Sequence, residues 1–206
     1  MKESIHNLIK NFLFKKKWSI ASLVPNTRLE LLSFLLEKSV SEKIKGDVIE
    51  CGVYQGGSLI VLGKKLKKLG SDKILYGLDT FEGHPYSDKD TSHIKGNLGD
   101  TSYNSVYEII KKLQLENVKL LKGRFIDTFP SLKNKRFCFA HVDCNLYQSS
   151  RECLEFLLPR MTKKGIIFFE DYNSSKFPGT NKAVEEFIKK EDLIILPDKQ
   201  AYYVVK

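Results

Sequence analysis

A chain of 206 residues provides for one domain with a substantial core, and its 42% hydrophobic and 29% charged content excludes a disordered or low-complexity protein. The formal net charge of +9 comes from lysines scattered in pairs, such as Lys64 with Lys65 and Lys111 with Lys112, which reads as a solvated surface and not as a nucleic-acid interface. No apolar run approaches the roughly 18–20 residues that span a bilayer, and Cys51, Cys138, Cys144 and Cys153 lack disulfide or metal spacing, so the expectation is a cytoplasmic protein with buried free thiols.

In chain order, Ile5, Leu8, Ile9, Phe12 and Leu13 recur at helical spacing. They predict an amphipathic helix over residues 5–14, with an apolar face suited to pairing two subunits in a homodimer. Residues 28–39 form a second helical pattern, with Leu29, Leu32, Phe34, Leu35 and Leu36 on its apolar face and Asn26 or Thr27 as its cap. Residues 1–45 are thus expected to pack as N-terminal helices on a core spanning 46–206. The core alternates. Strands are expected at 47–53, 73–79, 118–123, 137–143 and 165–171, and helices at 58–69, 103–115, 126–132, 149–161 and 180–190. Near-continuous apolar strands between helices imply a parallel sheet covered on both faces. Two last strands, at 193–196 and 201–205, are joined by so short a turn that they must be antiparallel. The fold class is therefore α/β and Rossmann-like, with a mostly parallel seven-stranded sheet. Its ligand site is expected at the carboxyl ends of the strands.

The residues at those strand ends carry the chemical signal. Glu50-Cys51-Gly52-Val53-Tyr54-Gln55-Gly56-Gly57-Ser58 is a strand running into a glycine turn, with Ser58 as the expected helix cap. It is not a G-x-G-x-x-G loop, because Val53 and Tyr54 stand where a diphosphate would need the second glycine. The Glu50 carboxylate suits a cationic ligand, and S-adenosylmethionine, a sulfonium and an ammonium in one molecule, meets that condition. Asp79 closes the second strand, where a carboxylate can accept both hydroxyls of a ribose. Asp143, Glu170 and Asp171 end the fourth and fifth strands; oxygen ligands of this kind suit Mg²⁺ or another divalent cation, which could orient a hydroxyl and lower its pKa. The long polar loop from 81 to 100 has the length of a lid, and it holds His84 and His93, either able to take a proton from a hydroxyl; His93 is the preferred candidate.

With these segments in place the chain resembles the macrocin O-methyltransferase family of class I methyltransferases. The resemblance rests on residues 46–57, on Leu78-Asp79-Thr80-Phe81-Glu82-Gly83, on residues 123–130, on His141-Val142-Asp143-Cys144-Asn145-Leu146-Tyr147, and on residues 165–172 and 177–179. It implies an S-adenosylmethionine-dependent O-methyltransferase acting on a hydroxyl of a sugar or glycosylated metabolite, with no nucleic-acid partner. By resemblance, Glu50, Gly52 and Tyr54 line the amino-acid end of the cofactor, with Thr27 or Arg28 near its carboxylate; Gly57 and Ser58, from the same glycine turn, complete the expected cofactor site. Asp79, Thr80 and Phe81 hold the ribose, and Arg124, Phe125 and Asp127 lie near the adenine. Asp143, Glu170 and Asp171 match the family's divalent-metal positions. From the residues themselves, a metal at Asp143, Glu170 and Asp171 would hold the acceptor oxygen, and His93 or a carboxylate would receive its proton. Asn145 and Glu170 depart from the family's aspartates at those places.

Overall fold

The computed structural model describes residues 25–88, 91–196 and 199–206. The amphipathic helix expected at 5–14, and with it the subunit-pairing face, lies outside the described residues. The first described helix, α1 (Asn26–Ser41), is followed by β1 (Asp47–Cys51), α2 (Gly57–Lys68), β2 (Leu75–Asp79), α3 (Tyr103–Lys112) and β3 (Val118–Lys122). Then come a single-turn α4 (Phe125–Thr128), β4 (Phe137–Val142), α5 (Tyr147–Leu157), β5 (Met161–Phe169), α6 (Pro178–Phe187) and the closing β6 (Leu193–Leu196) and β7 (Gln200–Val204).

The sheet order is β3-β2-β1-β4-β5-β7-β6, with the first five strands parallel and β7 antiparallel to both its neighbours. The expected seven-stranded architecture and terminal hairpin are present. Because successive side chains in a strand point to opposite faces, the sheet builds two cores. On one face Val48, Phe139, Ile166 and Phe168 meet α1, α2 and α3 through Leu32, Leu36, Leu59, Leu66 and Val106. On the other, Ile49, Leu78, Ala140 and Ile167 meet α4, α5 and α6 through Phe125, Leu154, Leu157 and Val184. The chain crosses from one face to the other after β3, so the segments that leave the paired ends of β1 and β4 run to opposite faces and a crevice opens just beyond those ends.

Several boundaries differ from the sequence expectation, each for a local reason. Helix α1 begins at Asn26, and neither Asn26 nor Thr27 caps it; the carbonyl of Pro25 accepts the N–H groups of Arg28 and Leu29 instead. The N-cap of α2 is Gly56, in the left-handed region at φ +86°, and Ser58 lies one residue inside the helix. Strand β5 starts at Met161, four residues early, because Met161 already pairs with Phe137, and the polar run Thr162-Lys163-Lys164 bulges out before pairing resumes at Phe139 and Ile166.

Candidate active site

A cavity of about 290 Å³ opens at the carboxyl ends of β1, β2, β4 and β5, near the lower end of the range for small-molecule sites. Its floor is Gly52. This residue has φ +95°, and a Cβ added there would sit 1.8 Å from the carbonyl oxygen of Asp143, so only glycine lets the ends of β1 and β4 close to this distance. The contact is reinforced by the Asp143 N–H donating to the carbonyl of Cys51 at 2.9 Å.

Around that floor the cavity wall contains Arg28, Tyr54, Gly57, Ser58, Asp79, Thr80, Arg124, Phe125, Asp143, Glu170 and Asp171, all of them expected from the sequence. Besides His93, four expected residues are placed elsewhere. Thr27 is exposed, and its neighbour Arg28 is the one that turns inward. Phe81 is buried in the core, edge-on to Tyr103 at 5.6 Å between ring centres. Asp127 is exposed and pairs with Arg124 at 2.8 Å on the outer rim. Glu50 is fully buried beneath the wall, and its Oε1 accepts from the Ser58 hydroxyl at 2.5 Å, so Ser58 is the group through which Glu50 reaches the cavity.

Asp79 ties the turn together. Its Oδ2 accepts the N–H groups of Val53 and Tyr54, each at 2.8 Å, and its Oδ1 accepts the N–H of Phe81 at 2.8 Å. A carboxylate has about four lone-pair directions, and three are committed to the backbone here, so holding this turn is a role the sequence reading did not assign to it. The expected lid, too, is fastened down. The His84 N–H donates to the Asn97 carbonyl and the Gly96 N–H to the His84 carbonyl, while Asp88 accepts the Tyr147 N–H at the start of α5. His93 makes a hydrogen bond through Nε2 to the Lys176 carbonyl at 2.8 Å and stacks on Phe177 at 4.8 Å. It is therefore a clasp between loop and α6, outside the cavity wall. His84 is the histidine that lines the cavity, with a buried Nδ1 that has no partner. Burial, and then the charge of His93, hold its pKa below the ordinary histidine value. Phe177 and Asn145 also enter the wall. Both stand inside segments that the sequence comparison had already set apart, but nothing in their residue type announced a cavity position.

The acidic groups form a chain across the sheet. Register places Glu50 beside His141, and His141 Nδ1 lies 3.7 Å from Glu50 Oε1 while its Nε2 lies 3.4 Å from Glu170 Oε2. Burial alone would depress the His141 pKa, but Glu170 and Glu50 outweigh it and raise it well above the usual value. Burial works in the same way against ionised Glu170, which His141 and then Arg28 nevertheless hold below the ordinary carboxylate value. Asp143 is pushed well upward by burial and then by Glu170 and Asp171. Asp171 rises to about 6, from burial and the nearby charge of Glu170, with Arg28 opposing.

These residues do not fit the expected metal site. Glu170 Oε1 is taken by Arg28 Nη1 and by Gln200 Nε2, both at 2.9 Å, and its Oε2 faces His141. Among the described residues, no three His, Cys, Asp or Glu side chains are grouped to hold a metal ion. Glu170 stands in the cavity wall with its carboxylate already committed to side chains on β4, β7 and α1. The cavity does fit S-adenosylmethionine. Its floor has no Cβ, a buried and unpartnered Asn145 Oδ1 is free to accept from a ligand, and carboxylates face a cationic centre.

Compared with known proteins, residues 18–198 match the model of the macrocin O-methyltransferase (TylF) family. The chain belongs to that family. Among relatives of this macrocin O-methyltransferase family member is the 8-demethyl-8-(2,3-dimethoxy-alpha-L-rhamnosyl)-tetracenomycin-C 4'-O-methyltransferase of Streptomyces olivaceus, 28% identical over 78% of this chain and 66% of that enzyme. Another is the mycinamicin III 3''-O-methyltransferase of Micromonospora griseorubida, 25% identical over 88% of this chain and 77% of that enzyme. The solved structure of the O-methyltransferase NovP superposes with a TM-score of 0.80 at 22% identity, covering 100% of both chains, which establishes the shared fold. Membership makes this chain an S-adenosylmethionine-dependent methyltransferase, as its sequence motifs imply. Among the described residues no helix is long and apolar enough to cross a membrane.

Proposed function

We propose that the cavity binds S-adenosylmethionine and that the protein methylates a hydroxyl of a sugar or glycosylated metabolite. The observation that carries the reading is the Gly52 floor, closed against Asp143 at the carboxyl ends of β1 and β4, with acidic side chains facing the space above it. The tetracenomycin and mycinamicin enzymes among the relatives are named for O-methylation, the former on a rhamnosylated compound, which supports the choice of acceptor class. When bound, the cofactor supplies an already activated methyl group, so the protein's task is positioning and exclusion of water.

In this reading Gly52, Tyr54, Gly57 and Ser58 cradle the amino-acid end, and Arg28 stands close enough to meet a carboxylate. Asp79 and Thr80 face the ribose, while Arg124 and Phe125 border the adenine. Burial and the charge of Glu170 raise both Asp143 and Asp171; Asp171, at about 6, is ionised at neutral pH and takes the proton of the acceptor hydroxyl as the methyl is transferred, while Asp143 helps to orient that hydroxyl. No step is assigned to a metal, because the oxygens of Glu170 are already engaged by Arg28, Gln200 and His141. The reaction is taken to run in the cytoplasm, and subunit pairing through residues 5–14 is part of the same reading. Calorimetric titration with S-adenosylhomocysteine is the test: micromolar binding supports it, and no binding would make this a nonenzymatic binding domain on a methyltransferase fold.

A further inference from the structure

The misfit at Glu170 points to a specific replacement. We propose that Arg28 is the resident cation of the acidic cluster: its guanidinium neutralises Glu170 and Asp171 in the place where a three-carboxylate site would hold a divalent metal, and so keeps such an ion out. The inference concerns the cavity read above as the cofactor site, and it stands on the side chains alone.

The geometry is direct. Arg28 Nη1 lies 2.9 Å from Glu170 Oε1 and 3.8 Å from Asp171 Oδ1, and all three side chains are largely buried, at 17%, 3% and 15% exposure. Arg28 is carried on the first turn of α1, whose Leu29 and Leu32 are 1% and 0% exposed in the core, so the guanidinium is delivered by a fixed element and not by a free loop. Gln200 from β7 occupies the same carboxylate oxygen, and His141 faces the other. For Mg²⁺ to recruit Glu170 Oε1 it would have to displace two donors. It would also have to meet near-octahedral geometry at about 2.1 Å beside a guanidinium cation. Two cations at neighbouring positions in a partly desolvated wall repel strongly. The arrangement is exclusive: the carboxylates serve Arg28 or a metal, not both.

The test is a calorimetric titration of Mn²⁺ into the full chain, free and loaded with S-adenosylhomocysteine. It is run on the unmodified protein, on Arg28→Gln and on Arg28→Lys. The unmodified protein is expected to show no saturable binding tighter than about millimolar in either state, the range left by a weak, water-rich carboxylate site. Arg28→Gln is expected to bind one ion at least about tenfold more tightly, because the competing charge is gone, and Arg28→Lys to behave as the unmodified protein does. Stoichiometric micromolar Mn²⁺ binding to the unmodified protein overturns the proposal, as does a folded Arg28→Gln that gains nothing. Should Arg28→Gln fail to fold by circular dichroism, the unmodified protein and Arg28→Lys still decide it. The S-adenosylhomocysteine affinity, read in the same series, reports separately on the cofactor assignment. Its absence with the Mn²⁺ pattern intact would remove that assignment and leave Arg28 in its role.

Discussion

Replacing Gly52 by alanine tests the closure of β1 on β4. The added Cβ would stand 1.8 Å from the Asp143 carbonyl oxygen, while an ordinary carbon–oxygen contact is about 3.2 Å, so the strand ends must part by more than about 1 Å. That movement breaks the bond from the Asp143 N–H to the Cys51 carbonyl, worth about 1 kcal/mol, and adds overpacking of about 1–3 kcal/mol. Holding a non-glycine residue at φ +95° costs about 1–2 kcal/mol more. The sum is a loss of about 3–6 kcal/mol, measurable as a shift in the urea midpoint. Gly70 is the control: it too has positive φ, at +61°, but a Cβ there meets nothing within 4 Å, so Gly70→Ala pays only the backbone term of about 1 kcal/mol. Gly52→Ala should also abolish S-adenosylhomocysteine binding, whereas Gly70→Ala should leave it intact. Equal destabilisation of the two variants, within about 0.5 kcal/mol, would refute the steric argument.

Asp79→Ala leaves the N–H groups of Val53, Tyr54 and Phe81 without their acceptor and should cost about 2–4 kcal/mol together with cofactor affinity; unchanged urea stability with lost affinity would mean that Asp79 serves the ligand alone. His84 has a folded pKa below its unfolded value, so the unfolded chain takes up the proton first, and stability falls as the pH drops below about 6.5. His84→Gln should flatten the decline in urea midpoint between pH 7 and 5, and an unaltered slope would show that the charges of Asp79 and Asp88 cancel the effects of burial and of His93. His93→Phe retains the stack on Phe177 but loses the bond to Lys176, so hydrogen exchange around Ile94 should accelerate while S-adenosylhomocysteine affinity holds. A fall in turnover of about a hundredfold or more with exchange unchanged would return His93 to the role of proton acceptor.

The fold was legible because its signals are periodic and local. Runs such as Phe137-Cys138-Phe139-Ala140 can lie only between two apolar layers, and a short turn leaves the final pair of strands no choice but antiparallel. The glycine turn and the acidic strand ends were legible for the same reason, since topology alone brings strand ends together. Direction was not. Nothing along the chain says that Glu170 reaches through the wall to His141, that Glu50 lies under Ser58, or that Phe81 turns into the core at φ +55°. Each follows from how side chains pack between one element and the next. The two histidines were separated on equally poor grounds: both lie in one polar loop, and only the pairing of His84 with Gly96 and Asn97 decides which of them faces inward.

The fusion of Gly52 with Asp143 has a consequence for how such an enzyme could acquire new substrates. Floor and acidic wall are one rigid casting, so a substitution in either distorts both, and neither can be varied to suit another acceptor. The border is different. Pro85, Leu98 and Phe177 stand on loops fastened from outside, by Asp88 on α5 and by His93 at Lys176, and those fastenings do not touch the floor. Exchanging the segments 85–98 and 173–177 as a pair, with their clasps, would re-cut the entrance while leaving the methyl-donor seat untouched.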